Sequence, residues 1–397
     1  MIIQPKIKGF LCTTAHPEGC REDVRRQIAH VKSRPSFNGP GRVLIIGASG
    51  GYGLASRISL AFGGRASTIG VFFERPAEKG RTASPGWYKS AAFTQAAAEA
   101  GLYAKNLNGD AFSQEIKNKV IELIKKDLGQ IDMVVYSLAA PARQMPDGTL
   151  VRSTLKPVGK SFAGATLDFN TGEIRSIALD PASDEEINNT VKVMGGEDWE
   201  NWMQSLMDAG VLSDGCVTTN YTYIGTDVTW PIYYHGTIGR AKEDLDRAAK
   251  ALSEKLATVN GKSVVAVMKG LVTQAASAIP GMSIYLSLLF KRMKEKGVHE
   301  GCIEQAQRLY ETVLFADRIP SVNLDTDGRI RMDDLEMADD IQKYVKEKWS
   351  GVSAENIRSV GDFDGYREAF LQIHGFGFDN VNYDADVEVD VPMDLVV

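Results

Sequence analysis

Short apolar runs alternate with helical patterns between residues 42 and 136. The run Val43–Ile46 is continuous and is followed by glycine, as expected for a strand that is buried on both faces of a parallel sheet. This alternation indicates βαβ units in an α/β protein with a doubly wound parallel sheet of the Rossmann type. The other strands are predicted at Ser67–Phe73, Leu102–Asn106 and Asp132–Tyr136, and the helices at Leu54–Phe62, Lys89–Ala100 and Phe112–Lys126.

The alternation stops after Tyr136 and resumes near residue 217. Residues 141–215 are rich in proline and short polar runs, so we interpret them as an insertion or lid near the site, with one helix at Asp198–Met207. Residues 1–40 do not alternate and are predicted to form an N-terminal arm on a single Rossmann-type domain, 1–397. The remaining predictions are an arm or hairpin at Ile2–Phe10; helices at Glu22–Lys32, Thr237–Ala257, Met282–Lys296, Cys302–Leu314, Asp334–Lys348 and Gly365–Leu371; strands at Val217–Ile224 and Ser263–Met268; and a strand or tail at Asp384–Val391.

Composition and charge exclude several classes of protein. The net charge of −6 argues against a nucleic-acid-binding surface, which needs a basic stripe. No apolar run approaches the roughly 18 residues of a membrane span, and the first residues lack the apolar segment of a signal peptide. We therefore predict a cytoplasmic protein without a membrane or nucleic-acid partner, as a monomer or weak homodimer.

Two sequence patterns resemble metal sites, but we expect no bound metal. Cys12 and Cys20 flank His16 without a fourth ligand nearby, which favours reduced thiols. The segment Asn323–Asp334 has the oxygen spacing of a calcium loop, yet its last position is aspartate rather than the bidentate glutamate. An Asp-Gly turn that leads into a helix is the favoured interpretation.

The stretch Gly47-Ala-Ser-Gly-Gly-Tyr-Gly53 follows the first predicted strand and precedes a helix. Its glycines permit a tight turn and a close approach of the backbone to a pyrophosphate, which the helix N-terminus attracts. A tight turn without a ligand is the alternative. Glu74 lies 21 residues after Gly53, near the spacing at which a carboxylate binds the adenosine ribose, and this favours NADH over NADPH. The adjacent Arg75 leaves that preference open.

Two more segments follow predicted strands at the edge where such sheets bind ligands. Asp110 and Ala111 come after the third strand, and Leu138 and Ala139 come after the fourth. Each observation is weak alone, but together they outline one groove for a dinucleotide.

A tyrosine and a lysine near residue 235 are candidates for acid–base chemistry. Tyr233 precedes Lys242 by nine residues, which in an unbroken helix is about 900° of rotation and places them on opposite faces. They converge only if the intervening chain is not all helix, and Gly236 with Thr237 as an N-cap provides that break. The alternatives are a solvated lysine on a charged helix and a tyrosine that packs in the core.

Eight motifs together resemble the FabV-type trans-2-enoyl-ACP/CoA reductases, the Ter group. The resemblance covers essentially the whole chain, and the long Tyr-x8-Lys spacing is that family's distinguishing mark. The motifs are GASGGYG at 47–53, FFE at 72–74, GDAF at 109–112, YSLAAP at 136–141, KVMGGEDWE at 192–200, YTYIG at 221–225, the Tyr233/Lys242 pair and LVTQAASAIP at 271–280.

The resemblance implies NADH-dependent reduction of the trans-2 double bond of enoyl thioesters in fatty-acid biosynthesis. Tyr233 is then the proton donor, although the family alignment is needed to choose it over Tyr234, and Tyr223 is a second catalytic, substrate-binding residue. Lys242 binds the nicotinamide ribose and lowers the tyrosine pKa. The cofactor-binding residues are Gly47, Ala48, Ser49, Gly50, Gly51, Tyr52, Gly53, Phe73, Glu74, Asp110, Ala111, Leu138, Ala139, Lys242, Leu271, Val272 and Thr273.

Carrier and alternative functions stay open at the level of the sequence. The acyl thioester is carried by ACP or CoA, and the resemblance places the Ile279–Phe290 helix beside the acyl pocket. Both carriers are anionic, so the basic residues that follow this helix are candidate contacts, with a solvated face as the alternative. These residues are Lys291, Arg292, Lys294 and Lys296. The alternative functions are a carbonyl or alcohol dehydrogenase of the short-chain type and a non-catalytic NAD(P)-binding regulator.

Overall fold

The computed structural model describes residues 1–9, 11–168, 171–274, 276–316 and 324–396. Its strands are β1 (Ile7–Lys8), β2 (Leu11–Cys12), β3 (Arg42–Ile46), β4 (Ser67–Phe72), β5 (Ala104–Asn108), β6 (Ile131–Tyr136), β7 (Ala142–Gln144), β8 (Leu150–Arg152), β9 (Phe162–Leu167), β10 (Ile174–Leu179), β11 (Leu212–Thr222), β12 (Lys262–Val267) and β13 (Ile330–Arg331). Its helices are α1 (Pro17–Lys32), α2 (Gly51–Ile58), α3 (Pro85–Glu99), α4 (Gln114–Leu123), α5 (Asp184–Met194), α6 (Glu197–Asp208), α7 (Thr237–Leu256), α8 (Met282–Glu295), α9 (Cys302–Arg308), α10 (Asp339–Trp349), α11 (Ile357–Val360) and α12 (Phe363–Ile373).

Seven parallel strands form the central sheet in the order β13-β12-β11-β6-β3-β4-β5. The chain runs outward from β3 to β4 and β5, then returns to the other side of β3 as β6. This reversal creates a crevice at the carboxyl ends of β3 and β6, where open α/β sheets bind their ligands. The sheet confirms the predicted α/β fold of the Rossmann type.

Alternate residues of β3 enter the two apolar cores on either face of the sheet. Val43 and Ile45 pack in a cluster with residues of α2, α3 and α9. Leu44 and Ile46 pack in a second cluster with residues of α4, α6 and α7. The alternation follows from the two-residue period of a strand. It explains why the run is apolar throughout, since each face is covered by helices.

A third apolar cluster surrounds α8 beside the sheet. Ten consecutive or near-consecutive side chains of this helix, from Met282 to Met293, are buried. Phe363, Tyr366 and Phe370 of α12 pack against it, together with residues of α10 and α11. Because α8 is buried around most of its circumference, it lines the interior beside the carboxyl edge of the sheet.

The N-terminal arm contains a short hairpin and a helix that starts earlier than the sequence pattern suggested. α1 begins at Pro17 instead of the predicted Glu22, because the His16 ring caps it by accepting from the Gly19 N–H at 3.2 Å. A Cβ on Gly19 would lie 1.6 Å from the Gly375 oxygen, so the first turn of α1 packs directly on the turn after α12. Phe10, in the predicted Ile2–Phe10 hairpin, lies outside the described residues.

Residues 141–215 hold two antiparallel hairpins, β7–β8 and β9–β10, and the helices α5 and α6. Trp199 and Trp202 of α6 are buried in the sheet core, so this helix covers the sheet. Strand β11 also begins inside the predicted insertion, since Leu212 pairs with Ile131 before a register shift at Val217. A lid role for the rest of the segment stays a prediction.

The structure describes the C-terminal tail and most of the calcium-like loop. The predicted Asp384–Val391 element is a tail without strand structure, held by hydrogen bonds from Trp87 Nε1 and the Tyr88 hydroxyl to the Val391 and Val389 carbonyls. In the calcium-like loop, the Asp325 carboxylate accepts from the Arg329 side chain at 2.8 Å, and Asn323 lies outside the described residues. The prediction that the Asp-Gly turn leads into an Asp-capped helix is wrong, because the turn leads into β13 and α10 begins only at Asp339, after Ala338 as N-cap. No helix in the described ranges is long and apolar enough to cross a membrane.

Candidate active site

The glycine loop sits at the crevice between β3 and β6 in a conformation that requires glycine. Gly47 has a φ of +86°, and a Cβ there would lie 2.1 Å from the Ser137 carbonyl oxygen that follows β6. A Cβ on Gly53 would lie 2.0 Å from the Gly47 oxygen. The N–H groups of Gly47 and Ala48 both bond the Val71 carbonyl, which ties the loop to β4. The loop is therefore packed against both neighbouring strands.

The loop is open at Gly50, in contrast to the crowded positions Gly47 and Gly53. Gly50 is the N-cap of α2 and has an extended backbone, with φ at −161° and no side chain that caps the helix. A Cβ on Gly50 would meet no atom within 4 Å. The space beside the N-terminus of α2 is thus open, and a helix N-terminus offers free N–H groups and the positive end of the helix dipole to a phosphate.

The Glu74 carboxylate is fixed beside this loop. Ser49 Oγ donates to Glu74 Oε1 at 2.7 Å, and Asn108 holds both the N–H and the C=O of Glu74. A Cβ on Gly86, at the start of α3, would lie 2.1 Å from Glu74 Oε1. The Arg75 guanidinium turns away and donates to the Thr82 carbonyl at 3.0 Å. The charge beside the glycine loop is therefore the Glu74 carboxylate.

Three further cofactor candidates line the same edge of the sheet. Phe73 exposes 78% of its surface next to Glu74 and offers a free ring face. Ala139 is exposed beyond β6, whereas Leu138 packs partly into the core. An exposed aromatic ring at the edge of a ligand-binding crevice is suited to stack on a base.

Ala111, next to Asp110, is held by a buried ion pair that the sequence reasoning missed. Lys117 Nζ lies 2.8 Å from Asp198 Oδ1 and donates to the Ala111 carbonyl at 3.2 Å. The Tyr136 hydroxyl donates to the other Asp198 oxygen at 2.9 Å. In the sequence, the signal for this pair was Asp198 within the KVMGGEDWE motif. Because Asp198 is buried, it anchors Lys117, which in turn holds the Ala111 carbonyl.

Tyr233 and Lys242 stand on opposite sides of a helix start, as the spacing required. Tyr233 lies in a series of turns, and α7 begins only at Thr237. The predicted N-cap is wrong by one residue: Gly236 occupies that position, because the Thr237 hydroxyl donates to the Thr154 carbonyl instead of capping. A Cβ on Gly239 would lie 1.8 Å from the Tyr234 oxygen, so the turns pack tightly on α7.

The two adjacent tyrosines point to different surroundings. The Tyr233 ring is buried and meets the Tyr223 ring edge to face, with centroids 5.0 Å apart. Tyr234 contacts Trp230 and His235 instead. Burial raises the pKa of Tyr233 above its ordinary value. Among the described residues, no group hydrogen-bonds the Tyr233 hydroxyl, so it is available to a ligand.

Lys242 points toward the sheet from α7. Its Nζ donates to the Tyr221 carbonyl at 3.1 Å, near the end of β11. Burial lowers the pKa of Lys242 to about 8, although the Asp246 carboxylate opposes the shift. The solvated-lysine alternative does not hold, since the side chain lies against the carboxyl edge of the sheet.

The segment Leu271–Thr273 closes the crevice opposite the glycine loop. A Cβ on Gly51 would lie 3.9 Å from Thr273 Cγ2, so the two segments are neighbours. The Tyr52 hydroxyl donates to the Lys269 carbonyl at 2.9 Å and links the loop to the same segment. Leu271 and Val272 pack on the cluster around α8. The crevice therefore continues from the loop to the apolar interior beside Tyr233.

Three family models together match most of the chain. The catalytic region of trans-2-enoyl-CoA reductase matches residues 81–315, and the NAD(P)H binding domain of the same enzyme matches residues 2–79. The chain belongs to the trans-2-enoyl-CoA reductase family. Family membership confirms the predicted resemblance, the NADH-dependent reduction of enoyl thioesters and the cofactor NADH. The dehydrogenase and regulator alternatives receive no support from these matches.

Relatives and solved structures agree with the family along the full length. An enoyl-[acyl-carrier-protein] reductase [NADH] of Edwardsiella ictaluri is 56% identical over all of both chains. The trans-2-enoyl-CoA reductase of Clostridium acetobutulicum, solved with NADH, is 44% identical with a TM-score of 0.95 over 98% of each chain. That of Treponema denticola, solved with NAD, is 46% identical with a TM-score of 0.94 over 100% of each chain.

The third family model is described as an enoyl reductase FAD binding domain and matches residues 324–387. The structure of this segment does not fit a flavin. Its helices α10–α12 turn Ile341, Phe363 and Phe370 into the apolar cluster around α8. Its one strand, β13, has two residues and leads into a loop that ends in α10, without a glycine-rich turn at the helix start.

Proposed function

We propose that this chain reduces the trans-2 double bond of enoyl thioesters with Tyr233 as the proton donor. The observation that supports this assignment is the buried Tyr233 ring beside Tyr223, whose hydroxyl has no hydrogen-bond partner among the residues that the structure describes. A hydroxyl in such a place donates to an oxygen on which negative charge develops, and the thioester oxygen is that atom when the double bond is reduced.

The geometry of the loop and its neighbours supports the following cofactor site. The N-terminus of α2 near Gly50 binds the pyrophosphate, and Glu74 accepts from the adenosine ribose. Phe73, Asp110 and Ala111 border the adenine, and Leu138 and Ala139 border the groove between the two ends. Leu271, Val272 and Thr273 border the nicotinamide. When bound, NADH supplies a hydride to the β-carbon of the substrate.

Tyr233 and Lys242 divide the acid–base work. Hydride addition moves the electron pair of the double bond onto the thioester oxygen as an enolate, and Tyr233 donates its proton there. Burial keeps the Tyr233 hydroxyl protonated until it is needed, since the pKa is raised. The Lys242 ammonium binds the nicotinamide ribose and stabilises the tyrosinate left behind. A proton from solvent then adds to the α-carbon while the enol O–H returns its proton to Tyr233, so the saturated thioester forms with a net uptake of one hydride and one proton.

The acyl chain lies along α8, and its carrier is ACP or CoA. The basic residues after the pocket are all paired: Lys294 with Asp362 at 2.6 Å, and Lys296 with Asp340 at 2.8 Å. Lys291 and Arg292 contact Glu295. This pairing favours a solvated face over a carrier contact. We further propose a monomer or weak homodimer in the cytoplasm.

Turnover of a short enoyl thioester tests this proposal. The purified protein is mixed with crotonyl-CoA and either NADH or NADPH, and the loss of reduced-nicotinamide absorbance is followed. We expect turnover with NADH that exceeds turnover with NADPH. The absence of turnover with both cofactors would contradict the proposed function, and turnover with NADPH alone would contradict the role of Glu74.

A further inference from the structure

Glu336 lies in the loop before α10 and is fully buried between three parts of the active site. Its Oε1 accepts from the Tyr223 hydroxyl at 3.0 Å and from the Tyr285 hydroxyl of α8 at 2.5 Å. Its Oε2 accepts from the Gly270 N–H at 2.6 Å, directly before Leu271. One carboxylate thus joins the end of β11, the nicotinamide-facing segment and the helix beside the acyl chain.

The donors around Glu336 fit an ionised carboxylate. Two hydroxyls and one amide donate to its two oxygens, and none accepts from it. Burial raises the pKa of Glu336, and the positive charge of the buried Lys269 side chain opposes this effect. A buried carboxylate with hydrogen bonds and a countercharge is compensated, whereas an isolated one is not.

We propose that Glu336 is a positioning residue for the reduction, which fixes Tyr223 and through it the ring of the proton donor Tyr233. This inference rests on the proposed function. Tyr223 uses its one hydroxyl proton in the hydrogen bond that it donates to Glu336, so no proton is left for a hydrogen bond to the substrate oxygen. Its ring instead forms the wall against which Tyr233 stands edge to face, with centroids 5.0 Å apart.

Glu336→Gln is the matched test because the side chains have the same shape. The glutamine amide has one acceptor oxygen and one N–H₂ donor group in place of two acceptor oxygens. Its N–H₂ group therefore faces another donor, either the Gly270 N–H or the hydroxyls of Tyr223 and Tyr285, and that hydrogen bond is lost. We expect kcat to fall by about tenfold or more, because Tyr223 loses its fixed orientation. The KM for crotonyl-CoA and the Kd for NADH change by less than about threefold, since no binding contact is removed.

A double variant separates positioning through Tyr223 from an independent effect. Tyr223→Phe is expected to lower kcat by a similar factor. The double variant Glu336→Gln with Tyr223→Phe should then keep at least about one third of the kcat of the slower single variant, because both changes break the same linkage. Glu347→Gln, on the exposed surface of α10, is the control and retains wild-type kcat.

Each outcome decides the inference. If wild type turns over and Glu336→Gln is equally fast, or the two losses multiply, Glu336 does not act through Tyr223. If Glu336→Gln loses NADH binding together with turnover, the residue is only structural and the inference fails. An inactive wild type contradicts the proposed function itself, and the positioning role falls with it.

Discussion

The rings of Tyr223 and Tyr233 meet edge to face, with their centroids 5.0 Å apart and their planes at 75°. Tyr223 follows β11, whereas Tyr233 belongs to the turns before α7. Their contact brings the proposed proton donor over the carboxyl edge of the sheet, while Lys242 approaches from α7. The nine-residue spacing between Tyr233 and Lys242 is therefore compatible with one site, because turns and the neighbouring Tyr223 ring position Tyr233 outside the helix.

Gly50→Ala is expected to weaken NADH binding by about tenfold or more while Tm is unchanged. The backbone of Gly50 suits any residue and its Cβ meets no protein atom within 4 Å, so only a bound phosphate is obstructed. NADH fluorescence titration and thermal unfolding measure the two effects. Gly53→Ala is the contrast and loses stability as well, because its Cβ clashes with Gly47. An unchanged Kd for Gly50→Ala would place the pyrophosphate elsewhere.

Glu74→Ser is expected to raise the ratio of kcat/KM for NADPH over NADH by about tenfold or more. The change removes the carboxylate that repels a 2′-phosphate. Arg75→Ala is the control and should leave the ratio unchanged, because the guanidinium is held by the Thr82 carbonyl. Initial rates with both cofactors measure the ratio. A response to Arg75→Ala but not to Glu74→Ser would reverse the assignment.

Local pattern was enough to predict the sheet and the cofactor loop. β3, the glycine turn and Glu74 lie within about 30 residues, and their roles follow from strand burial and backbone freedom. Helix starts were less accurate, although Pro17 was an available signal for α1. For Asp384–Val391 the pattern left a strand or a tail open, because alternation alone does not supply a partner strand, and the structure shows a tail that the side chains of Trp87 and Tyr88 hold.

The missing parts of the site are contacts between distant positions. Glu336 lies 113 residues from Tyr223, and Asp198 lies 81 residues from Lys117. In the sequence these acids look like ordinary surface charges, since burial becomes visible only when the chain is folded. The choice between Tyr233 and Tyr234 likewise depends on which ring faces Tyr223.

Lys242→Met is expected to make the slope of stability against pH less positive between about pH 8 and 10.5. Burial lowers the pKa of Lys242 from 10.5 to about 8, so between these values the unfolded chain holds a proton that the folded chain has released. The contribution of Lys242 to the free energy of unfolding therefore rises with pH across this window. Urea unfolding without NADH measures the slope. Lys250→Met, on the exposed face of α7, should keep the wild-type slope; equal slopes for all three proteins would contradict the buried ammonium.

Lys117→Met is expected to destabilise the fold by about 3 kcal/mol or more, because Asp198 is left buried without its partner. Adding Asp198→Leu should recover much of this loss, since the pair is then replaced by apolar side chains. Urea unfolding at neutral pH measures both. Lys119→Met removes only an exposed pair with Glu115 and should cost about 0.5 kcal/mol or less. A similar loss for Lys117→Met and Lys119→Met would show that the ion pair is not buried.

The turnover of Tyr233→Phe with NADH and crotonyl-CoA tests the central claim most directly. We expect kcat to fall by about a hundredfold or more, with the Kd for NADH nearly unchanged, because only the proton donor is removed. Tyr234→Phe should retain most of the wild-type kcat, since that ring packs on Trp230 and His235. An active Tyr233→Phe, or an inactive Tyr234→Phe that still binds NADH, would contradict the assignment.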